Sequence, residues 1–229
     1  MGDVMKKNRR WIIALLCACV LAAVWKVQAE TNRDAQPLSG VTVVVDPGHG
    51  GKDDGASSGI VKEQDVNLAI ALKLRTELEK AGATVTMTRD GSYDLASEGA
   101  MNRKREDMKK RVAMINEEPS DLFISIHLNT YPNVGIHGGQ VFYRKDDESS
   151  KQLAQIIQTR LNALTQTEKQ SKTGDYFILN ESERPGVLVE CGFLSNAGDR
   201  EALTQDAYQQ QLAILLTESV QEYLLAFTL

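Results

Sequence analysis

Short apolar runs alternate with longer amphipathic segments along most of the chain. Val41–Val45 is a β-branched run typical of a buried strand, and residues 64–81 carry apolar side chains at four-residue spacing, which predicts a helix. The same patterns predict further strands at Thr84–Thr88, Leu122–Ile126, Gly139–Tyr143 and Val187–Glu190, and further helices at 102–117, Ser149–Leu164 and 199–226. Strands that alternate with helices indicate an α/β fold: one domain with a largely parallel central sheet and helices on both faces.

The first thirty residues follow a different pattern. Basic side chains precede an apolar run, Trp11–Val24, which is too short for a comfortable membrane span. Because Val27-Gln28-Ala29 then offers a small-residue exit, we predict a secretory signal peptide over residues 1–29. An uncleaved N-terminal membrane anchor is the alternative, since Val27 is larger than the ideal residue at its place. Residues 30–40 are polar and predict a linker, which leaves residues 41–229 as the folded domain.

The balance of charge argues against one class of partner. The chain has 229 residues and a formal net charge of −5, and residues 30–229 carry 21 basic against 30 acidic side chains. Affinity for nucleic-acid phosphates depends on Lys and Arg, so a body this acidic argues against nucleic-acid binding and leaves room for a cation. Beyond residue 29 the only cysteine is Cys191, so an exported domain would have no internal disulfide.

Three side chains capable of metal or proton chemistry stand at predicted strand ends. His49 follows the first strand, His127 ends the third and Glu190 ends a later one. In open α/β sheets ligands collect outside the carboxyl ends of the strands, so we expect these three segments to meet at one edge. A catalytic zinc site commonly uses two histidines and one carboxylate. Glu63 is the candidate carboxylate, because it begins the first predicted helix after a glycine-rich loop that leaves His49.

Each of these features also has a simpler interpretation. A histidine at a strand end is usually packed or at the surface, and an acid at a helix start commonly interacts only with the helix dipole. A glycine-rich loop after a strand more often turns or binds phosphate. However, Gly48–Lys52 lacks the Ser or Thr that follows the lysine of a phosphate-binding loop. A buried strand glutamate is rare unless it is paired, which favours a functional role for Glu190.

Five segments in order resemble the zinc-dependent N-acetylmuramoyl-L-alanine amidases of the amidase-3 type. They lie within residues 41–226 and are Val43–Ala56, Lys62–Leu68, Met87–Asp90, Ser125–Asn129 and Val187–Asn196. The resemblance implies that His49, Glu63 and His127 bind Zn²⁺, that Glu190 is the catalytic acid and base, and that the sheet is mixed. Leu128 stands where family members often have a small residue, which affects the wall of the cleft.

The resemblance also implies a substrate and a setting. The substrate would be peptidoglycan, cut between N-acetylmuramic acid and the L-alanine of the stem peptide by an exported enzyme at the cell wall or the outer face of the membrane. A signal segment joined to a bare catalytic domain is similar to the spore-cortex, germination-specific amidases. These act with a separate deacetylase to form muramic-δ-lactam, which points to the intermembrane space of the developing spore. The lack of a wall-binding repeat leaves room for a membrane lipoprotein or adaptor as partner.

Other functions stay open at this point. A vegetative autolysin or cell-separation amidase would use the same chemistry, and another exported zinc peptidase could use a similar scaffold. A non-catalytic wall-binding protein is disfavoured because Glu190 accompanies all three presumed ligands.

Several remaining side chains are expected to have structural or supporting roles. Cys191 follows Glu190 in a strand and should point to the opposite face as a packed thiol. His137 is expected in a surface loop, and Asn129 could orient the site from outside the ligand set. Arg103 and Arg111 are expected to be solvated helix charges, although an arginine near the cleft would suit the carboxylates of a peptide.

Overall fold

A computed structural model describes residues 36–117 and 120–227. The predicted signal peptide or anchor, residues 1–29, lies outside the described residues. The strands are β1 (Thr42–Pro47), β2 (Ser57–Ser58), β3 (Val61–Lys62), β4 (Thr84–Met87), β5 (Leu122–Asn129), β6 (Gln140–Tyr143), β7 (Lys172–Thr173) and β8 (Gly186–Phe193). The helices are α1 (Glu63–Lys80), α2 (Arg103–Asn116), α3 (Glu148–Thr165), α4 (Phe177–Glu181), α5 (Ala197–Leu203) and α6 (Asp206–Phe227).

Six strands form one mixed sheet in the order β4-β1-β5-β8-β6-β7. The pairs β4–β1, β1–β5 and β5–β8 are parallel, whereas β6 runs antiparallel to β8. Helices α1, α3 and α6 pack on one face, and α2 and α4 pack on the other. The predicted α/β domain with a mostly parallel mixed sheet is therefore confirmed.

The two faces of the sheet carry cores of different size. The larger core joins α1, α3 and α6 to strand residues such as Val45, Ile124 and Val189. The smaller core joins α2 and α4 to Val44, Phe123 and other strand residues on the opposite face. Side chains alternate along a strand, so Glu190 and His127 point to the side of the smaller core. That side is only partly covered, and the opening between α2 and α4 becomes a cleft.

The structure extends the domain beyond the predicted start at Val41. Leu38 is fully buried in the larger core, and its backbone N–H donates to the carbonyl of Ala81 at 2.9 Å. The last residues of the predicted linker therefore pack against the domain, because the apolar side chain of Leu38 is buried between α1 and the sheet.

One local prediction from the sequence differs from the structure. The single helix predicted at 199–226 is two helices, since α5 ends at Leu203 and α6 begins at Asp206. Leu203 is buried, and the side-chain amide of Gln209 donates to the Leu203 carbonyl at 2.8 Å, which satisfies the helix end. Within the described residues, no helix combines the length and the apolar character needed to cross a bilayer.

Candidate active site

The end of β1 presents His49 in an unusual backbone conformation. His49 has φ +63°, a left-handed value that is uncommon for a residue with a side chain. Strained residues of this kind tend to cluster at functional sites. The preceding Gly48 is required for another reason: a Cβ at this position would lie 2.2 Å from Nε2 of His127. The glycine therefore allows the His127 ring to lie directly over the turn.

Glu63 is the first residue of α1 and is almost fully buried. Its Oε2 accepts the backbone N–H of Ala56 at 2.8 Å, and its Oε1 accepts that of Leu128 at 2.9 Å. Burial alone would raise the pKa of Glu63. However, hydrogen bonds and charge interactions with His127 and His49 outweigh burial and hold the pKa well below its usual range. Glu63 is therefore an ionised carboxylate fixed between two chain segments.

His49, Glu63 and His127 converge on one point. Nε2 of His49 lies 3.2 Å from Oε1 of Glu63, and Nδ1 of His127 lies 3.1 Å from the same oxygen. One ligand atom from each residue lies within 4.8 Å of the others. Ligand atoms around one tetrahedral zinc ion, each at roughly 2.0–2.2 Å from it, would be about 3.3 Å apart. The spacing and the nitrogen and oxygen donors therefore fit a single divalent ion.

Glu190 lies beside this cluster without a partner of its own. β8 pairs in parallel with β5 so that Glu190 stands opposite His127. Its Oε2 is buried, and within the described residues it has no hydrogen-bond partner. Burial, together with the negative charge of Glu63, outweighs the two histidines and raises the pKa of Glu190 to about 7. A carboxyl group with this pKa can both accept and release a proton near neutral pH.

The cluster opens into a cavity of about 540 Å³. Its floor is the carboxyl ends of β1, β5 and β8, and its walls include Met108 of α2 and Tyr176, Phe177 and Ile178 around the start of α4. This is the location that α/β sheets commonly use for ligands. The cavity is large enough for part of an extended polymer substrate, and the ligand cluster is accessible from it.

Two buried arginines hold the loop that carries His49. Arg89 donates to four backbone carbonyls, those of Pro47, Gly48, Gln64 and Gly91. Arg111 contacts the carboxylates of Asp46 at 2.7 Å and Asp107 at 2.8 Å, and donates to the carbonyl of His49 at 2.6 Å. The expectation that Arg111 is a solvated helix charge is wrong, because these partners satisfy its guanidinium inside the protein.

Asp53 stands behind His49. Its Oδ2 lies 3.1 Å from Nδ1 of His49, the ring nitrogen opposite the one that faces Glu63. The Gly55 N–H donates to Oδ1 of Asp53 at 3.2 Å, and the backbones of Gly50 and Asp53 exchange two hydrogen bonds of 3.0 Å. A carboxylate behind a ligating histidine fixes its ring and tautomer. Asp53 is not among the site residues predicted from the sequence, although its position four residues after His49 in the same loop is a usable signal.

The remaining candidates take less direct positions. Arg103 is paired with Asp94 at 2.7 Å, and His137 is exposed and does not line the cavity. Asn129 and Leu128 both line the cavity wall. Cys191 is fully buried in the larger core as a free thiol, and burial raises its pKa above the ordinary value. This confirms the prediction of a packed thiol.

An α/β domain with two histidines and a carboxylate around one point, next to a buried glutamate with a raised pKa, has the features of a metal-dependent hydrolase. The profile of the N-acetylmuramoyl-L-alanine amidase family matches residues 43–222. The chain therefore belongs to this family: it is a metal-dependent amidase, and its substrate is peptidoglycan.

Three relatives illustrate the similarity. The germination-specific N-acetylmuramoyl-L-alanine amidase of Bacillus subtilis is 36% identical over 228 residues, which cover 96% of each chain. The amidase LytC of the same organism is 31% identical over 84% of this chain but only 37% of its own. The CwlD amidase from Clostridioides difficile, solved in complex with the GerS lipoprotein, is 35% identical with a TM-score of 0.78. That similarity covers 81% of this chain and 99% of the solved chain.

Proposed function

We propose that His49, Glu63 and His127 hold one Zn²⁺ ion and that Glu190 is the acid and base of amide hydrolysis. The bond cut would join the lactyl group of N-acetylmuramic acid to L-alanine of the stem peptide. The observation that carries the proposal is the position of Glu190: it stands opposite His127 in the sheet and beside a cluster that fits a single ion.

The donor set supports zinc among the divalent metals. Two imidazoles and one carboxylate are a common catalytic set for this ion and leave a position open for water or substrate. When bound, zinc would polarise the scissile carbonyl and lower the pKa of a coordinated water to about 7. Oxygen-preferring ions such as Mg²⁺ and Ca²⁺ are poorly served by two nitrogen ligands.

Glu190 would move the protons of the reaction. In its ionised form it accepts a proton from the attacking water, and in its protonated form it donates one to the departing amine of L-alanine. Burial and the nearby Glu63 raise the pKa of Glu190 to about 7 in the metal-free site, which favours a group that exchanges its proton readily. Because Oε2 has no partner within the described residues, no internal hydrogen bond must break before the group acts.

We further propose a role in the spore cortex. The chain and the germination-specific amidase of Bacillus subtilis match over 96% of each, whereas LytC is matched over only 37% of its length. This favours the cortex role over that of a vegetative autolysin. Removal of the stem peptide would leave a bare muramic acid, which a separate deacetylase would help to convert into muramic-δ-lactam.

Export and a lipoprotein partner complete the proposal. Residues 1–29 would act as a signal peptide or an N-terminal anchor. Residues 41–229, with the segment around Leu38 packed against them, would be the catalytic domain in the intermembrane space of the developing spore. The solved CwlD amidase is in complex with the GerS lipoprotein. A lipoprotein of this kind is therefore the partner we propose for this chain.

Two assays test the proposal at its two levels. Purified peptidoglycan is digested with the protein and analysed by mass spectrometry, and the amidase is expected to release intact stem peptides from an otherwise uncut glycan. Spores of a deletion strain are then analysed for muropeptides. Release of stem peptides together with normal muramic-δ-lactam in the mutant spores would keep the amidase and remove the cortex role.

A further inference from the structure

A second, smaller groove adjoins the main cavity. It has a volume of about 220 Å³, and three of its wall residues, Asp53, Lys104 and Asp107, also line the main cavity. Its other wall residues are Lys52, Asp94 and Arg103. Because Asp53 lies 3.1 Å from His49, the groove begins directly behind the ligand cluster. A substrate bound at the cluster can therefore extend into the groove.

Two of the acidic side chains on the groove wall are fully engaged with arginines. Arg103 holds Asp94 with contacts of 2.7 and 2.8 Å, and the buried Arg111 holds Asp107 at 2.8 Å. Paired guanidinium and carboxylate groups of this kind present no free charge to a ligand. These pairs are part of the groove wall, and the charged side chains outside them determine which ligand binds.

Two lysines remain available to a ligand. Lys52 is exposed, and its side chain has no ion pair or hydrogen bond among the described residues. Lys104 is 73% exposed, and among the described residues its ammonium group forms an ion pair only with Asp53, at 3.4 Å. An exposed ion pair of this length contributes little to stability, so Lys104 can turn towards a ligand at small cost. The lining carries three basic and three acidic side chains, and the two lysines are the basic ones outside the arginine–carboxylate pairs.

We propose that Lys52 and Lys104 form a subsite for a carboxylate of the stem peptide, on the leaving-group side of the scissile bond. The inference rests on the proposed amidase function. The carboxyl group of N-acetylmuramic acid is consumed in the scissile amide, and the N-acetylated glycan carries no other. Every free carboxylate of the substrate therefore lies on its peptide, and two available ammonium groups in the groove would select the peptide.

The distances select a carboxylate close to the scissile bond. Nζ of Lys104 is one contact of 3.4 Å from Asp53, which is one contact of 3.1 Å from His49. This path ends at the ring nitrogen of His49 that faces away from Glu63, so it gives only the order of the distance. Two extended residues span about 7 Å, and we therefore expect the subsite to take a carboxylate on the second residue of the peptide. The groove should prefer a stem peptide in which that carboxylate is free over one in which it is amidated.

The test compares two soluble muramoyl-peptide substrates that differ only in whether the carboxylate of the second residue is free or amidated. Steady-state kinetics are measured for the full-length enzyme and for the double variant Lys52→Met/Lys104→Met. Lys109→Met is the matched control, because Lys109 is an exposed lysine of α2 that lines neither the cavity nor the groove.

The double variant is expected to raise KM for the free-carboxylate substrate about 5- to 10-fold, with kcat within about twofold of wild type, because two exposed charge contacts are lost. KM for the amidated substrate should not change, and Lys109→Met should match wild type with both substrates. In wild type, added salt should raise KM only for the free-carboxylate substrate. An unchanged KM in the double variant, or an equal rise for both substrates, would overturn the subsite. Absence of any cleavage by wild type would instead overturn the amidase function.

Discussion

Two glutamates that lie near each other differ in the direction of their pKa shifts. Glu63 accepts hydrogen bonds from two backbone N–H groups. It also faces two imidazoles, and these outweigh burial and hold the pKa of Glu63 below the usual range. Glu190 is buried without a hydrogen-bond partner for its Oε2 among the described residues, and its pKa rises to about 7. Carboxyl groups whose environments push their pKa values apart commonly divide acid–base work from charge stabilisation. The residues thus suit different roles, Glu63 as a ligand and Glu190 as a proton carrier.

This division predicts different consequences for the same substitution at the two positions. Glu190→Gln should lower kcat by about 10²–10⁴-fold, because the general acid and base is removed, while zinc content stays near wild type. Glu63→Gln should lose zinc and activity together, since the ionised ligand is gone. Metal analysis of both purified variants, alongside turnover on peptidoglycan, checks the assignment. Loss of zinc from Glu190→Gln would show that Glu190 is itself a ligand.

Asp53, which contacts the ring of His49, is expected to affect the affinity for zinc. Asp53→Asn should weaken zinc affinity about 10–100-fold, because the carboxylate that orients the His49 ring is removed. Asp54→Asn is the matched control: Asp54 is the neighbouring acid of the same loop and contacts Lys62 and Gln64 instead of His49. Zinc affinity is measured by competition with a chelator, and the melting temperature of the metal-free protein is recorded. A fall in that temperature with unchanged affinity would mean that Asp53 only supports the loop.

Residue roles could be predicted where the type and position of a side chain limit its chemistry. His49, His127 and Glu190 stood out at predicted strand ends and Glu63 at a helix start after a glycine-rich loop, and the structure brings these four together. The role of Arg111 could not be predicted in this way. The burial of Arg111 depends on carboxylates and carbonyls from distant segments of the chain. It also depends on the neighbouring residues of α2 that face the protein interior.

At the scale of elements, the end of β1 and helix α2 are joined through a buried ion pair. Asp46 in β1 accepts from Arg111 of α2, from Ser125 of β5 and from Thr88 after β4. Burial alone would raise the pKa of Asp46, but Arg111 and the two hydroxyl groups hold it below its usual value. This single carboxylate thus ties three strands and a helix together beneath the loop that presents His49.

The lowered pKa of Asp46 predicts how stability depends on pH. Its contribution is fully present above the ordinary aspartate pKa of about 3.9 and is lost as the pH falls through its lower folded value. Asp46→Asn should therefore destabilise the protein at pH 7 by about 3–5 kcal/mol, since it breaks a buried pair. The difference from wild type should shrink as the pH falls below about 3.9, the unfolded value.

Urea unfolding at pH 7 and at pH 3 measures both effects, with Asp206→Asn as the control. Asp206 forms an ion pair with Lys73 but is 87% exposed, so its loss should cost at most about 1 kcal/mol at either pH. A penalty for Asp46→Asn that is equal at both pH values would contradict an ionised, paired Asp46.

Element type was more predictable than element ends. Apolar periodicity located α1, α2 and α3 and the four central strands, because long helices and buried strands repeat one pattern over many residues. The break between α5 and α6 was missed because it consists of only Thr204 and Gln205, with no proline or glycine to mark it in the sequence. The short helix α4 has five residues, too few for periodicity to show.

At the scale of the whole molecule, folding and metal binding rest on different parts of the structure. The larger core joins α1, α3 and α6 to the sheet and contains none of the four proposed active-site residues. The three proposed ligands come from the end of β1, the start of α1 and the end of β5, at the open side of the sheet. We therefore expect the metal-free protein to stay folded and the metal to stabilise an existing domain.

Removal and return of the metal test this expectation. Chelation should abolish peptidoglycan hydrolysis while the far-ultraviolet circular dichroism stays close to that of the loaded protein, since the main core needs no ligand. Zinc returned at 100 times its dissociation constant should restore activity and raise the free energy of unfolding by about 2.7 kcal/mol, because only the native state assembles the three ligands. In His127→Ala the same addition should give neither effect. Unfolding on chelation would instead show that the cluster holds the fold together, as in small zinc domains whose metal replaces a core.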